Sequence, residues 1–290
     1  MKQIITIFAV SSLMIVGCEK PSPVQVEEDA LVLEPNTLQL VDPDLDYKAV
    51  DSSGVLPGDQ QLYPGYFLIN SVKFNTGAGE RGFAYSSVFL GDRGRPVQMG
   101  GRTFGYFGVA VRSLLLNGSP MIPIPHIVRA RLQSTQKDTI HAGVEYIQDL
   151  TSSYLPNQVY TWGIFPFFFD SISVSISSPD DLAILSPAGG VIHSRDQDLG
   201  LQWRGKGNLI ILLSKVNLFT GETRPLLSFR PRRDQDHAII RAKLLRSLSP
   251  GAYAFTFILA NRQEIPTDRV HPGKILVQAA SLYTTYFGLR

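Results

Sequence analysis

The 290-residue chain has one cysteine, Cys18, so it cannot close an internal disulfide and has to be stabilised by a packed apolar core. Long apolar runs are also missing. The N-terminal stretch Ile4 to Val16 holds thirteen uncharged residues, where a membrane-spanning helix needs roughly 20. No G-x-S-x-G elbow exposes a serine nucleophile. The five histidines, His126, His141, His193, His237 and His271, show neither H-E-x-x-H nor any paired spacing, so a zinc site would have to be assembled in space. These absences remove the local signatures of hydrolases, metalloproteases and zinc modules. A catalytic site gathered from separate loops stays open, and no catalytic residue, metal or cofactor is assigned.

What is present begins at the amino terminus. Lys2 followed by the uncharged stretch has the form of a secretory signal. The stretch closes in Ile15-Val16-Gly17-Cys18, which resembles the lipobox of bacterial lipoproteins. The resemblance implies diacylglycerol on the Cys18 thiol, removal of residues 1–17 and acylation of the new amino terminus. Each buried methylene of an acyl chain adds about 0.8 kcal/mol, so several chains on one residue make a durable anchor. The competing reading is an ordinary signal peptide with an incidental cysteine. Glu19 stands where an aspartate would mark inner-membrane retention, so the expected address is the outer membrane of a bacterial envelope, on either face.

Charge divides the rest. Residues 18–60 carry ten acids and two bases, a net of −8, with five prolines and few aromatics, and read as a solvated, self-repelling tether. The alternative is that a piece such as Ala30 to Glu34 pairs as an edge strand on the body. From Gln61 onward 24 bases face 15 acids, a net of +9, which suits anionic envelope partners as well as an ordinary solvated surface.

Beyond Tyr63 the apolar pattern is short and alternating. Strands are predicted at Tyr66–Phe74, Gly82–Leu90, Phe104–Leu116, Ile127–Gln133, Thr139–Ile147, Val159–Ile164 and Ile172–Ser177, separated by turns such as "NTGAG" and "LNGSP". A second series covers Ala183–Leu185, Leu199–Trp203, Leu209–Val216, Arg224–Arg230, Ala252–Ala260 and Ile275–Tyr283. Ala238 to Leu248 fits a short helix as well as a strand plus turn. The expected fold is all-β: two tandem β-sandwiches, residues 61–179 and 180–290, behind the lipidated tether. In the second, "SPAGG", Leu199-x-Leu201-x-Trp203, and Leu248-Ser249-Pro250-Gly251-Ala252-Tyr253 with Phe255, Phe257 and Leu259 resemble an immunoglobulin or fibronectin type III sandwich. The commonest fibronectin pattern has one more residue between Gly and Tyr. The resemblance implies that Trp203 fills the core and that Tyr253 is a corner tyrosine, its hydroxyl bonded to backbone nearby. Such sandwiches host many unrelated functions.

Several motifs invite function. Gly77 to Gly82, "GAGERG", has the G-x-G-x-x-G spelling, but a strand-like segment follows where a nucleotide site needs a helix, so a hairpin turn is the better reading. "RDQD" occurs twice, at Arg195–Asp198 and Arg233–Asp236, and suits loop salt bridges better than a calcium site. Tyr160, Trp162, Phe165, Phe167, Phe168 and Phe169 crowd one segment and form either domain-junction core or an aromatic partner patch. "MIPIPHI", Met121 to Ile127, is a rigid edge or a docking segment. Arg230, Arg232, Arg233, Arg241, Lys243 and Arg246 form a candidate surface for an anionic partner, with solvated strand edges as the alternative. The expectation is a non-catalytic binding or scaffolding lipoprotein, attached to membrane through acyl chains on Cys18, with an envelope protein or anionic glycan as partner and no nucleic acid. A motif-less hydrolase acting on envelope glycans and an adhesin or pilus-type subunit are the alternatives.

Overall fold

The computed structural model describes residues 39–40, 63–99, 102–132, 136–167, 170–219, 221, 223–266 and 274–290. Cys18, the signal segment, Ala30–Glu34, Phe168, Phe169 and His271 lie outside the described residues.

The chain is nearly all β. Its first strands are β1 (Gln39–Leu40), β2 (Gly65–Asn75), β3 (Glu80–Met99), β4 (Arg102–Gly108), β5 (Ser113–Leu116), β6 (Ser119–Pro120), β7 (Ile122–Leu132), β8 (Gln136–Asp149), β9 (Val159–Phe165) and β10 (Ile172–Ser177). There follow β11 (Ala183–Ser186), β12 (Ile192–His193), β13 (Leu199–Arg204), β14 (Leu209–Val216), β15 (Thr223–Arg230), β16 (His237–Ile240), helix α1 (Ala242–Ser247), β17 (Gly251–Pro266) and β18 (Lys274–Leu289). The ambiguous segment from Ala238 to Leu248 is thus the end of a strand followed by one helical turn and a half. The single strand expected over Phe104–Leu116 is two strands, β4 in one sheet and β5 in another.

One sheet runs the length of the body in the order β1-β15-β14-β17-β18-β2-β3-β8-β7, with β4 beside β3 and β12 beside the end of β18. Two small sheets pack on it. Sheet β10-β9-β5-β6 covers one half, burying Leu114, Leu116, Tyr160, Trp162, Ile164, Val174 and Ile176 against Phe67, Ile69, Val88, Val277 and Ala279. Sheet β11-β13-β16 with α1 covers the other, burying Leu201, Trp203, Ile240, Leu244 and Leu245 against Ile211, Phe229, Phe255, Phe257 and Phe287. Each half is a β-sandwich with one tryptophan at its centre.

The pleat explains how one hairpin serves both cores. On β18 the odd positions share a face: Val277 and Ala279 enter the first core, while Tyr283, Phe287 and Leu289 enter the second. On β17 the same face reads Tyr253, Phe255, Phe257 and Leu259 in the second core, then Asn261 and Gln263, then Ile265 packed on the first. The two strands pair without a break from Gly251↔Leu289 to Pro266↔Lys274. β2 joins β18 in parallel from Gly65↔Ile275 to Asn75↔Thr285. Because β2 is flanked on both edges and covered on both faces, its sequence "GYFLIN" is continuously apolar up to the buried Asn70. A division of the chain at residue 180 would therefore cut a sheet that β2 and β18 hold in common.

Two turn motifs find their explanation here. "GAGERG" is the β2–β3 hairpin turn, followed by a strand as its composition indicates. Gly77 has φ +92°, and a Cβ on it would lie 2.9 Å from the Cα of Gly190 in "SPAGG". The two glycine turns thus pack backbone on backbone, and neither is free to cradle a phosphate. Trp203 is buried, and the Tyr253 hydroxyl donates to the Ser249 carbonyl at 2.6 Å, the contacts that the sandwich resemblance implies.

Candidate functional site

Where the two sandwiches meet, the shared hairpin turns polar, and a site forms on that interruption. The Asn261 amide donates to the Ser177 carbonyl at 2.9 Å, and that of Gln263 to the Ser175 carbonyl at 2.5 Å. β10 is the edge of its sheet, so side chains of β17 satisfy carbonyls that would otherwise wait for another strand. Beside this join lies an open hollow of about 320 Å³ lined by Val159, Ser175, Ser177, Asn261, Arg262 and Gln263. Asp180 clasps the same seam: its carboxylate accepts from the Asn157 amide of the first sandwich at 3.0 Å and from the Lys206 backbone of the second at 3.1 Å. The Asn157 bond, with the Lys206 and Asp181 amides, holds the Asp180 carboxyl below the usual aspartate range. The hollow offers hydroxyls and carboxamides beside an exposed valine, while the Arg262 guanidinium lies on the other face of the strand, over the Tyr63 ring and donating to its hydroxyl at 2.9 Å. That set suits hydrogen-bonded recognition of a peptide or glycan and holds no paired acid and base.

Two polar groups sit on the opposite face of the long sheet, around the buried cluster Tyr63, Tyr66, Leu68, Phe89 and Leu276. In one, the Tyr63 hydroxyl donates to Glu264, which also pairs with Lys274 at 2.5 Å, while Arg262 stacks over the Tyr63 ring. Lys274 and then Tyr63 draw the Glu264 carboxyl down; burial and the bond to Glu264 push the Tyr63 phenol up. In the other, Glu145 accepts from the Tyr66 hydroxyl at 3.1 Å and faces His126 Nδ1 at 3.2 Å, with the imidazole 4.2 Å from the Phe89 ring centre. A His–carboxylate pair is the raw material of general acid–base chemistry. Neither member lines the hollow.

The predicted aromatic patch does not hold together. β9 alternates, so Tyr160 and Trp162 point into the first core, where the Trp162 ring lies 5.3 Å from Phe67 and its Nε1 donates to Ser86 at 3.0 Å. Both are unavailable to a partner; Phe165 is half-buried and Phe167 is exposed. The junction between sandwiches is instead made by Asn261, Gln263 and Asp180.

The predicted basic surface is divided as well. Arg230, Arg232 and Arg233 lie where β15 turns toward β16, with Arg233 Nε on Asn208 at 2.9 Å, at the β14 start. Arg241, Lys243 and Arg246 lie at α1, beside the β13 start, where Arg241 pairs with Asp198 at 2.6 Å. β13 separates the groups by its six residues, about 17 Å of extended chain. Each "RDQD" is engaged locally: Asp198 accepts from Arg241 and from the Ala242 amide, and Asp236 pairs with His237. "MIPIPHI" enters the edge strand β7, where Pro123 and Pro125 withhold donors from the open side.

Asn261, Arg262, Gln263 and Asp180 escaped sequence reasoning. The available signal was the polar run "NRQE" interrupting a strand that is apolar before it and resumes at Ile265.

No family model matches the chain, and no curated protein is significantly similar to it. Among solved structures, the yeast delta-COP-I mu-homology domain is similar over 78% of this chain and 97% of that one, at 10% identity and a TM-score of 0.25. The DIP-gamma IG1+IG2 structure is similar over the same shares, at 10% identity and a TM-score of 0.18. Likeness at that level carries neither a fold assignment nor a function to this chain.

Proposed function

We propose that the protein is a membrane-anchored lipoprotein of the bacterial cell envelope, probing its surroundings through a non-catalytic binding or scaffolding body. The anchor in this reading is acylated Cys18, at the outer membrane, with the acidic residues between Cys18 and β1 as spacer, since Gln39 and Leu40 pair on the body. The observation that supports a scaffolding body is the β17–β18 hairpin: sixteen register pairs run through both cores, so the two sandwiches form one stiff unit that keeps any bound partner at a set geometry. The seam hollow, with its amide and hydroxyl groups, is the surface that a protein or glycan partner would use.

The test is affinity capture from detergent-solubilised envelopes with the native protein and a Cys18→Ala control, bound proteins and glycans being identified by mass spectrometry. A stoichiometric partner lost on Gln263→Ala and Asn261→Ala supports the reading. A glycan returned in cleaved form refutes a non-catalytic role and turns attention to His126 and Glu145. A structural-subunit reading has one observation in its favour: β1 closes the β15 edge through the pairs Gln39↔Arg230 and Leu40↔Phe229, and such a short segment can come from another copy.

A further inference from the structure

The hairpin between β14 and β15 carries two adjacent large apolar side chains on its tip, Leu218 at 78% exposure and Phe219 at 101%. Single exposed apolar residues are ordinary on protein surfaces. Two together on a hairpin tip, left almost wholly to solvent, need a reason. The hairpin's shape is deliberate: the Asn217 side chain accepts from the Phe219 amide at 3.0 Å, and Gly221 donates to the Asn217 carbonyl at 2.8 Å. Further apolar surface lies at the same end of the sheet, since Val216 pairs with Ala252, Ala252 with Gly288 and Gly288 with Ile192, itself 67% exposed.

Cations ring this end. Lys215 and Arg224 are a register pair one step behind the last pair of the hairpin, Val216↔Thr223, and both are exposed. Lys215 Nζ donates to Ser249 at 2.6 Å, and Arg195 donates to the neighbouring Leu248 carbonyl at 2.9 Å, so the α1 end with exposed Lys243 and Arg246 belongs to the same rim. Among the described residues the acids there are Asp196, 3.8 Å from Arg246, and Asp198, taken by Arg241, and the hairpin sequence adds Glu222. The rim is therefore net positive.

We propose that the Leu218–Phe219 tip is a second membrane contact, dipping its two apolar side chains into an anionic bilayer surface while Lys215, Arg224 and the α1 cations lie at the head groups. The choice of an anionic bilayer as occupant rests on the envelope reading above. A protein partner fits less well. Two side chains offer roughly 400 Å², well below the ~800 Å² per partner of a stable protein interface, and the tip is a protrusion with no groove to seat a peptide. A bilayer deforms around a protrusion and rewards apolar insertion and nearby cations together. In that reading the chain between Cys18 and β1 is a spacer that lets the body lay this end against the same membrane.

The test uses the full chain with Cys18→Ala, which removes the acyl anchor and every native thiol, so failure of lipidation cannot affect it. Leu218→Cys in that background carries an environment-sensitive dye, and Leu185→Cys, 55% exposed on β11, carries the same dye as a control. The expected result is a blue shift at position 218, and none at 185, on mixing with vesicles containing phosphatidylglycerol. Raised salt should weaken the response, and adding Phe219→Ser should lower the apparent affinity about tenfold or more. No shift at 218, or an equal response to pure phosphatidylcholine vesicles, overturns the proposal. Circular dichroism of each variant verifies that the fold is kept, as expected for side chains left almost wholly to solvent.

Discussion

Val277→Ala tests whether the two sandwiches are one cooperative unit. Val277 is fully buried, lies on β18 and belongs to the first core only. The substitution removes two methyl groups: about 1.6 kcal/mol of transfer free energy, and with the residual cavity about 2–3 kcal/mol in all. For a folded body of this size that corresponds to a fall in melting temperature of about 5–10 °C. The chain supplies its own reporters, because its two tryptophans, Trp162 and Trp203, sit one in each core. Trp203→Phe leaves a probe of the first sandwich, and Trp162→Phe leaves a probe of the second. Losing the first core releases β2 from β18 and half of the β17–β18 pairing from its cover, so the second sandwich cannot persist unchanged. The expected outcome is that Val277→Ala lowers the midpoint read by Trp203 as much as the one read by Trp162, measured by fluorescence-detected thermal or urea unfolding. If the Trp203 midpoint stays put while the Trp162 midpoint falls, the sandwiches are independent and the coupling argument fails.

Two further outcomes follow from particular contacts. The Asp180 carboxyl titrates lower in the folded chain than in the unfolded one, so its stabilisation is complete above the ordinary aspartate value and is lost as pH falls through the depressed one. Asp180→Asn should flatten the acid limb of a stability–pH curve below about pH 4, and an unchanged limb counts against the clasp. Tyr253→Phe removes the 2.6 Å bond to the Ser249 carbonyl and should cost about 1 kcal/mol in urea unfolding with an unchanged slope; a neutral result would mean that the corner contact does not contribute.

Period-two alternation made most strands legible, because one face of each is buried and the other is not. Val159 to Ile164 and Leu199 to Trp203 are examples, and both tryptophans follow from their place in that alternation. The turn reading of "GAGERG" rested on the strand-like residues after it, which rule out a helix by composition. As single surfaces the aromatic and basic patches fail for a related reason: closeness along the chain is not closeness in space. A strand sends neighbours to opposite faces, which buried Tyr160 and Trp162, and a strand's length parts Arg233 from Arg241.

Composition and order alone thus determined the all-β class, the strand-rich halves and the absence of an internal disulfide, since each depends on local backbone preference, spacing or residue type, while the tyrosine corner came as what the sandwich resemblance implies. Tertiary structure decided the rest. The parallel pairing of β2 with β18 joins residues some 200 positions apart with no turn to announce it. From it come the single long sheet, the hairpin shared by two cores, and the polar seam where Asn261 and Gln263 close an edge that belongs to another strand. The tip at Leu218 and Phe219 likewise reads as an apolar loop until the sheet shows which cations stand around it, because charge and apolar surface act together only where folding brings them to one end.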